Sequence, residues 1–170
     1  MEYTHVTHTF GPVFDENSRI LILGSFPSVK SRECNFYYGH PQNRFWKVLA
    51  GVLGQQVPQS IEEKRTFLLK NQIAVWDVIA SCDIIGSSDS SIKNVIGNDM
   101  NVILNNAGIE KICANGEKAY QLFLKYCKKE GQPELVKLPS TSPANAAWRL
   151  ERLIEAWGTE LAIRNGGEEH

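Results

Sequence analysis

An α/β fold built on a doubly wound, mostly parallel sheet is what this sequence predicts, on three observations. Short apolar runs recur along the chain as Ile20-Leu-Ile-Leu23, Ile73-Ala-Val-Trp76, Lys111-Ile-Cys-Ala114 and Leu135-Val-Lys-Leu138. Segments with apolar residues at helical spacing lie between most of them. Turn residues follow the runs, as expected where a buried parallel strand feeds a loop and then a helix. In such a sheet the right-handed crossovers bring the strand-to-helix loops to the carboxyl edge, where ligands bind.

The elements follow in order. Ile20–Leu23 is the first strand and stops at Gly24, and Ser25 to Asn43 reads as a long loop. Phe45, Trp46, Val48, Leu49, Val52 and Leu53 then recur at helical spacing, with Gly54 as the stop. Ser60 and Glu63 form a capping-box pattern for a second helix reaching Lys70. Ile73–Trp76 is the second strand, followed by a polar loop from Asp77 to Ser91 and a helix resuming near Ile92. Lys111–Ala114 is the third strand, Asn115-Gly116 its turn, and Glu117 to Lys129 the next helix. Leu135–Leu138 is the fourth strand and runs into Pro139-Ser-Thr-Ser-Pro143. Ala147, Leu150, Ile154, Trp157 and Leu161 mark a last amphipathic helix before a frayed tail at 165–170.

Composition bounds the function. A length of 170 residues suits one domain, 1–170, able to bury a core without disulfides or metal. With 42% hydrophobic and 22% charged residues the chain reads as globular rather than disordered. The formal net charge of -1 gives no global attraction for a polyanion, so any nucleic-acid contact rests on local charge placement. The amino terminus carries no secretory apolar core, and no run reaches the ~18 apolar residues of a membrane span, so a cytoplasmic location away from membranes is expected. Cys34, Cys82, Cys113 and Cys127 are irregularly spaced without a CxxC pair, which predicts free thiols and no metal site.

Residues 24–46 hold the chemistry. They combine a tight turn, hydroxyls and aromatics with Lys30, Arg32 and Arg44, and Lys47 follows, against Glu33 alone. In Gly24-Ser-Phe-Pro27, glycine permits close backbone approach and proline fixes the turn. Main-chain N–H groups with Ser25, Ser28 and Ser31 can then meet a base or a phosphate, although the same residues also build ordinary turns. Neither GxxxxGK[ST] nor GxGxxG is present, which argues against nucleoside-triphosphate chemistry. Phe36, Tyr37 and Tyr38 offer a stacking platform, where a base–aromatic contact contributes about 1–3 kcal/mol, or else pack beneath the loop. Asn43, taken by itself, is an N-cap, and His40 before Pro41 is a turn histidine or a proton donor. Asp77 can accept a hydrogen bond from a base ring N–H. Ser140, Thr141 and Ser142, ahead of a helix, read equally as a phosphate clamp or a capping turn.

Four segments carry a resemblance: Gly24-Ser-Phe-Pro27; Tyr37-Tyr-Gly-His-Pro-Gln-Asn-Arg-Phe-Trp46; Trp76-Asp-Val-Ile-Ala80 with Asp89-Ser-Ser-Ile92; and Leu138-Pro-Ser-Thr-Ser-Pro-Ala144. Over nearly its whole length the chain resembles the uracil-DNA glycosylase superfamily, and within it the hypoxanthine (deoxyinosine) DNA glycosylase branch. The resemblance implies a four-stranded parallel α/β/α sandwich. It implies an enzyme that flips one deaminated base out of DNA and hydrolyses its N-glycosidic bond without metal or cofactor. It makes Asn43 the catalytic residue instead of a mere cap, and Tyr38 the stacking residue. Gly24, Ser25, Phe26, Pro27, His40 and Asp77 fall around the base, and Ser28, Ser31, Ser140, Thr141, Ser142 and Asn145 along the DNA backbone. Phe26 stands where mismatch-specific uracil glycosylases have a catalytic Asn, and Leu138 where the major uracil glycosylases have a catalytic His. Hypoxanthine is therefore the expected base and a monomeric, monofunctional enzyme the expected form. Uracil, xanthine or mismatched thymine, and a silent nucleic-acid-binding module, are the alternatives.

Overall fold

A computed structural model describes residues 2–162, so the tail at 165–170 lies outside the described residues. The chain runs β1 (Thr4–Thr7), β2 (Ile20–Gly24), α1 (Val29–Cys34), α2 (Phe45–Leu53), α3 (Ile61–Lys70), β3 (Ile73–Asp77) and β4 (Ile79–Ile84). It continues through β5 (Lys93–Gly97), the single-turn α4 (Asn101–Leu104), β6 (Lys111–Asn115), α5 (Glu117–Tyr126), β7 (Glu134–Leu138) and α6 (Leu150–Leu161). The strands β3-β2-β6-β7 form the expected four-stranded parallel sheet, flanked by helices. Every residue of β2 and β3 is buried, as a strand covered on both faces requires. On one flank α2 packs against α6, with Phe45, Leu49, Leu153 and Trp157 fully buried; each such side chain contributes roughly 1.5–3 kcal/mol.

The chain differs from the sequence expectation in several places, among them the last helix, which begins at Leu150 and leaves out Ala147. The stretch from Asp77 to Ser91 is not a loop throughout, because it contains β4, and no helix resumes near Ile92, where β5 runs instead. With β1 these strands form a second, antiparallel sheet in the order β1-β4-β5. Chain direction changes at Val78, whose N–H donates to the Gly24 carbonyl (2.8 Å) while the Ile79 N–H donates to the Ser25 carbonyl (3.1 Å). The small sheet is half polar, and β5 is an irregular edge with Asn94 at φ 55°, so neither period marks it. Within 25–43 lies the short helix α1, capped by Ser28, and α5 stops at Tyr126 rather than Lys129.

All four cysteines are free, and burial pushes Cys113 up to about 12 and Cys127 up to about 11, which keeps both thiols protonated. No cluster of three metal-ligating side chains occurs, and no helix is long and apolar enough to cross a membrane, among the described residues.

Candidate active site

Strands β2, β3, β6 and β7 deliver Gly24, Asp77, Asn115 and the 139–148 segment to the carboxyl edge of the parallel sheet. There the segments after β2, β4 and β7, with the ends of β3 and β6, enclose a cavity of about 310 Å³, on the scale of a small-molecule site.

The first wall, 24–43, is built from rings. Phe36 and Tyr37 are buried beneath the loop, and the Tyr37 hydroxyl donates to the Gly11 carbonyl (2.8 Å). Tyr38 lines the cavity with its ring stacked on Phe45 at a centroid distance of 3.9 Å. Its backbone sits at φ 52°, a conformation a bulky residue rarely adopts, and the Trp46 indole N–H donates to its carbonyl (3.3 Å). Burial, reinforced by Asp77, raises the Tyr38 phenol well above its ordinary value, so it stays neutral. A Cβ at Gly24 would meet Asp77 Oδ1 at 2.6 Å and the Tyr38 hydroxyl at 3.0 Å, so only glycine lets these two groups close over the end of β2.

Asn43 stands at the seam between the walls. Its Oδ1 accepts from the Phe45 backbone N–H (2.9 Å) and from the Thr141 hydroxyl (2.8 Å). Because an amide N–H can only donate, this pairing fixes the carboxamide orientation, with oxygen on the helix side and Nδ2 left for the cavity that Asn43 lines. Asn43 thus lines the cavity, but it is not the expected N-cap of α2: Arg44 holds that position without a side-chain cap bond, and Asn43 closes an Asx turn onto the Phe45 N–H. Thr141 accepts in turn from Asn115 Nδ2 (3.0 Å), which also reaches the Tyr38 hydroxyl at 3.3 Å.

The second wall, 139–148, is organised by Arg44. Its guanidinium donates to the carbonyls of Ser142 (2.8 Å), Asn145 (3.1 Å), Thr141 (3.4 Å) and Trp148. Arg32 is likewise engaged, with the Gly86 carbonyl at 2.7 Å and the Phe26 ring beneath it. Two of the cations that the sequence offered for phosphate therefore brace loops, leaving exposed Lys30 and Lys47.

Two carboxyl groups line the cavity. Asp77 is buried and takes His8 Nε2 at 2.8 Å, and Asp89 accepts the Ser25 hydroxyl at 3.1 Å. Burial of the Asp89 carboxyl, with Asp77 nearby, holds it above the usual carboxylate range against the opposing pull of the Ser25 hydroxyl, although the rest of the residue is exposed.

Of the sequence-derived site residues, Gly24, Ser25, Phe26, Pro27, Tyr38, His40, Asn43 and Asp77 all line this cavity, as do Ser28, Ser31, Ser140, Thr141 and Ser142. Asn145 does not; it lines the neighbouring cavity and donates to the Ser140 carbonyl (3.0 Å). The hydroxyls of Ser31 and Thr141 are buried and engaged by Gly39 N–H and by Asn43 and Asn115, so they act in the walls. Sequence reasoning missed His8, Ser87 and Asn115. Only Asn115, at the end of a predicted strand, carried a signal that topology could have used.

Against known proteins, the chain matches the family model "Uracil DNA glycosylase superfamily" over residues 12–159. A protein of Methanosarcina acetivorans named hypoxanthine DNA glycosylase is 37% identical over 150 residues, covering 86% of this chain and 92% of the relative. One of the same name from Methanosarcina barkeri is 37% identical over 112 residues, covering 65% and 71%. The solution NMR structure of a Methanosarcina acetivorans protein provisionally described as a uracil DNA glycosylase superposes with a TM-score of 0.72 at 34% identity, covering 91% of this chain and 97% of that one. The parallel sheet, the cavity at its carboxyl edge and these matches place the chain in the uracil DNA glycosylase superfamily.

Proposed function

We propose that this chain is a monofunctional DNA glycosylase of base excision repair that releases hypoxanthine from deoxyinosine. The relatives named hypoxanthine DNA glycosylase support the choice of base, and the fixed carboxamide of Asn43 at a cavity shared with Tyr38 carries the choice of chemistry. The glycosidic bond is inaccessible inside the stack, so the nucleotide flips into the cavity, where a mispaired, deaminated base is the least costly to extrude. Tyr38, held by Phe45 behind it, stacks on the base. Asp77 accepts the purine N1–H, a proton that hypoxanthine has and adenine lacks, while His40 and the Gly24–Pro27 turn enclose the rest of the ring.

As the C1′–N9 bond breaks, its electron pair moves onto the base, water adds to C1′, and the proton that this water loses neutralises the departing base anion. Both lone-pair directions of Asn43 Oδ1 are occupied, so Asn43 acts through Nδ2, donating to the charge that develops on the leaving base. Ser28, Ser140 and Ser142 face the DNA backbone at the mouth. The enzyme works as a monomer in the cytoplasm, without cofactor.

Asn43→Ala tests this reading on duplexes carrying deoxyinosine, uracil, xanthine or a thymine mismatch, with abasic sites revealed by alkaline strand scission. Single-turnover release of hypoxanthine is expected to fall by about 10²–10³, the size of one lost preorganised donor. Wild-type rates in the variant reject the assignment of Asn43, and release of uracil in preference to hypoxanthine rejects the choice of base.

A further inference from the structure

We infer that His8, on the amino-terminal side of the small antiparallel sheet, is a positioning residue that aims the Asp77 carboxylate at the base. This rests on the reading of the cavity as a base pocket.

His8 Nε2 lies 2.8 Å from Asp77 Oδ2, and the two side chains are only 4% and 5% exposed. The residue follows directly on β1, and its own N–H donates to the Ala80 carbonyl (2.7 Å), which anchors it to β4. Around the imidazole stand Phe10 at 4.5 Å, Tyr37 at 5.9 Å and Phe26 at 6.0 Å between ring centroids. Within that apolar shell Nδ1 is buried without a hydrogen-bond partner among the described residues. A hydrocarbon ring would fill the same space without leaving a polar atom unsatisfied, so packing does not account for a histidine here. Its single bond to Asp77 does.

The effect of that bond is orientation. With Oδ2 tied to His8, Oδ1 is turned towards Gly24, beside the Tyr38 hydroxyl. No Lys or Arg pairs with Asp77 among the described residues, and the other carboxyl lining the same cavity, Asp89, offers it no attraction. The imidazole N–H is thus what holds this carboxylate in one position. An oxygen so held accepts from a ring N–H beside a carbonyl, the group common to hypoxanthine, xanthine and uracil, and it repels a bare ring nitrogen such as adenine N1. The chemical class recognised is the lactam edge of a deaminated base.

Two variants separate orientation from packing. His8→Phe keeps the aromatic filling and removes the donor; His8→Gln removes the ring and offers a donor at the reach of Nε2. Each is measured in single turnover on duplexes containing deoxyinosine and 2′-deoxynebularine, whose purine has a bare N1, with thermal unfolding as the folding control. His8→Phe is expected to slow release of hypoxanthine about 10-fold and to narrow its preference over the nebularine base by a similar factor, the size of one misplaced hydrogen bond. His8→Gln is expected to recover most of both. Folded His8→Phe protein with unchanged rate and preference overturns the inference. Should His8→Phe not fold, the outcome for His8→Gln decides: near wild-type preference supports it and a lost preference overturns it. If the wild-type enzyme releases uracil or xanthine and not hypoxanthine, the substrate reading above has failed, and the same variants judge His8 on that base. If it releases no base, both fall.

Discussion

The two walls of the cavity are made on different principles. The wall from Gly24 to Asn43 is packed: Phe36 and Tyr37 are buried beneath it, Tyr38 lies on Phe45, and Phe45 meets Trp46 and Trp157 edge-on. The wall from Pro139 to Trp148 is strung from hydrogen bonds, four of them donated by one guanidinium. Packing distributes its stabilisation over many contacts, whereas a carbonyl cluster around one cation depends on that cation. Asn43 belongs to both, taking one donor from the helix of the first wall and one from Thr141 of the second. The geometry of the proposed catalytic amide therefore reports on the integrity of each.

The contrast is broken most severely at Arg44. Arg44→Met keeps the stem and removes the fork, leaving the carbonyls of Ser142, Asn145 and Trp148 without their charged donor. A loss of about 3 kcal/mol or more is expected, since each hydrogen bond to a charged group is worth roughly 1.5–3 kcal/mol before non-additivity. For a chain of this size that lowers the thermal midpoint by about 6–12 °C. Arg44→Lys is expected to rescue little, because one ammonium cannot span carbonyls arranged around a planar fork. A midpoint unchanged in Arg44→Met contradicts the account of the second wall.

Gly24→Ala addresses the first wall and has the next largest effect. The added methyl meets Asp77 Oδ1 at 2.6 Å and the Tyr38 hydroxyl at 3.0 Å, so one or both must move. Overpacking of this kind costs about 1–3 kcal/mol. The displaced groups are those proposed to read and stack the base, so release is expected to fall more steeply than stability. Calorimetry and single-turnover cleavage on the same preparation compare the two. Equal base release with a lowered midpoint would show that the first wall tolerates rearrangement.

The packed wall is also the part most legible in the sequence. Buried strands such as Ile20–Leu23 and Ile73–Trp76 announce themselves as apolar runs, and α2 by its helical period, because burial on both faces or along one stripe leaves a pattern in residue type. Topology then brings Gly24, Asp77 and the 139–143 loop to one edge without knowledge of any contact. What residue type does not encode is the partner. Arg44 reads as a phosphate ligand and holds carbonyls; Asn43 reads as a cap or a catalyst, and its oxygen ties the Phe45 N–H to the Thr141 hydroxyl. His8 is 69 positions from Asp77 and sits beside a strand, Thr-His-Val-Thr, that is exposed except for the half-buried Val6 and gives little burial signal. The edge strands of the small sheet are illegible for the same reason, since Lys93-Asn-Val-Ile-Gly97 alternates around an edge that buries little.

The smallest effect is expected at the rim, where Asp89 bridges the first wall through Ser25 and lines both cavities. Burial and the Asp77 charge raise its carboxyl above the usual aspartate range, against the opposing pull of Ser25 and Lys118. A carboxyl raised on folding favours the protonated form, so its unfavourable contribution is absent below the unfolded pKa and grows as pH rises through the folded one. Asp89→Asn keeps an acceptor for Ser25 and cannot ionise. The variant is accordingly expected to be slightly more stable than wild type at neutral pH, with the gain shrinking on acidification and vanishing near pH ~4, the ordinary aspartate range. Removing an anion from a mouth proposed to face phosphates should also tighten duplex binding at low salt, and less so at high salt. Thermal midpoints of both proteins across that pH range check the sign: a gain that grows on acidification would mean that the Asp89 carboxylate is favoured by the fold, and that its partner is a cation of the rim such as Lys118 rather than the packed wall.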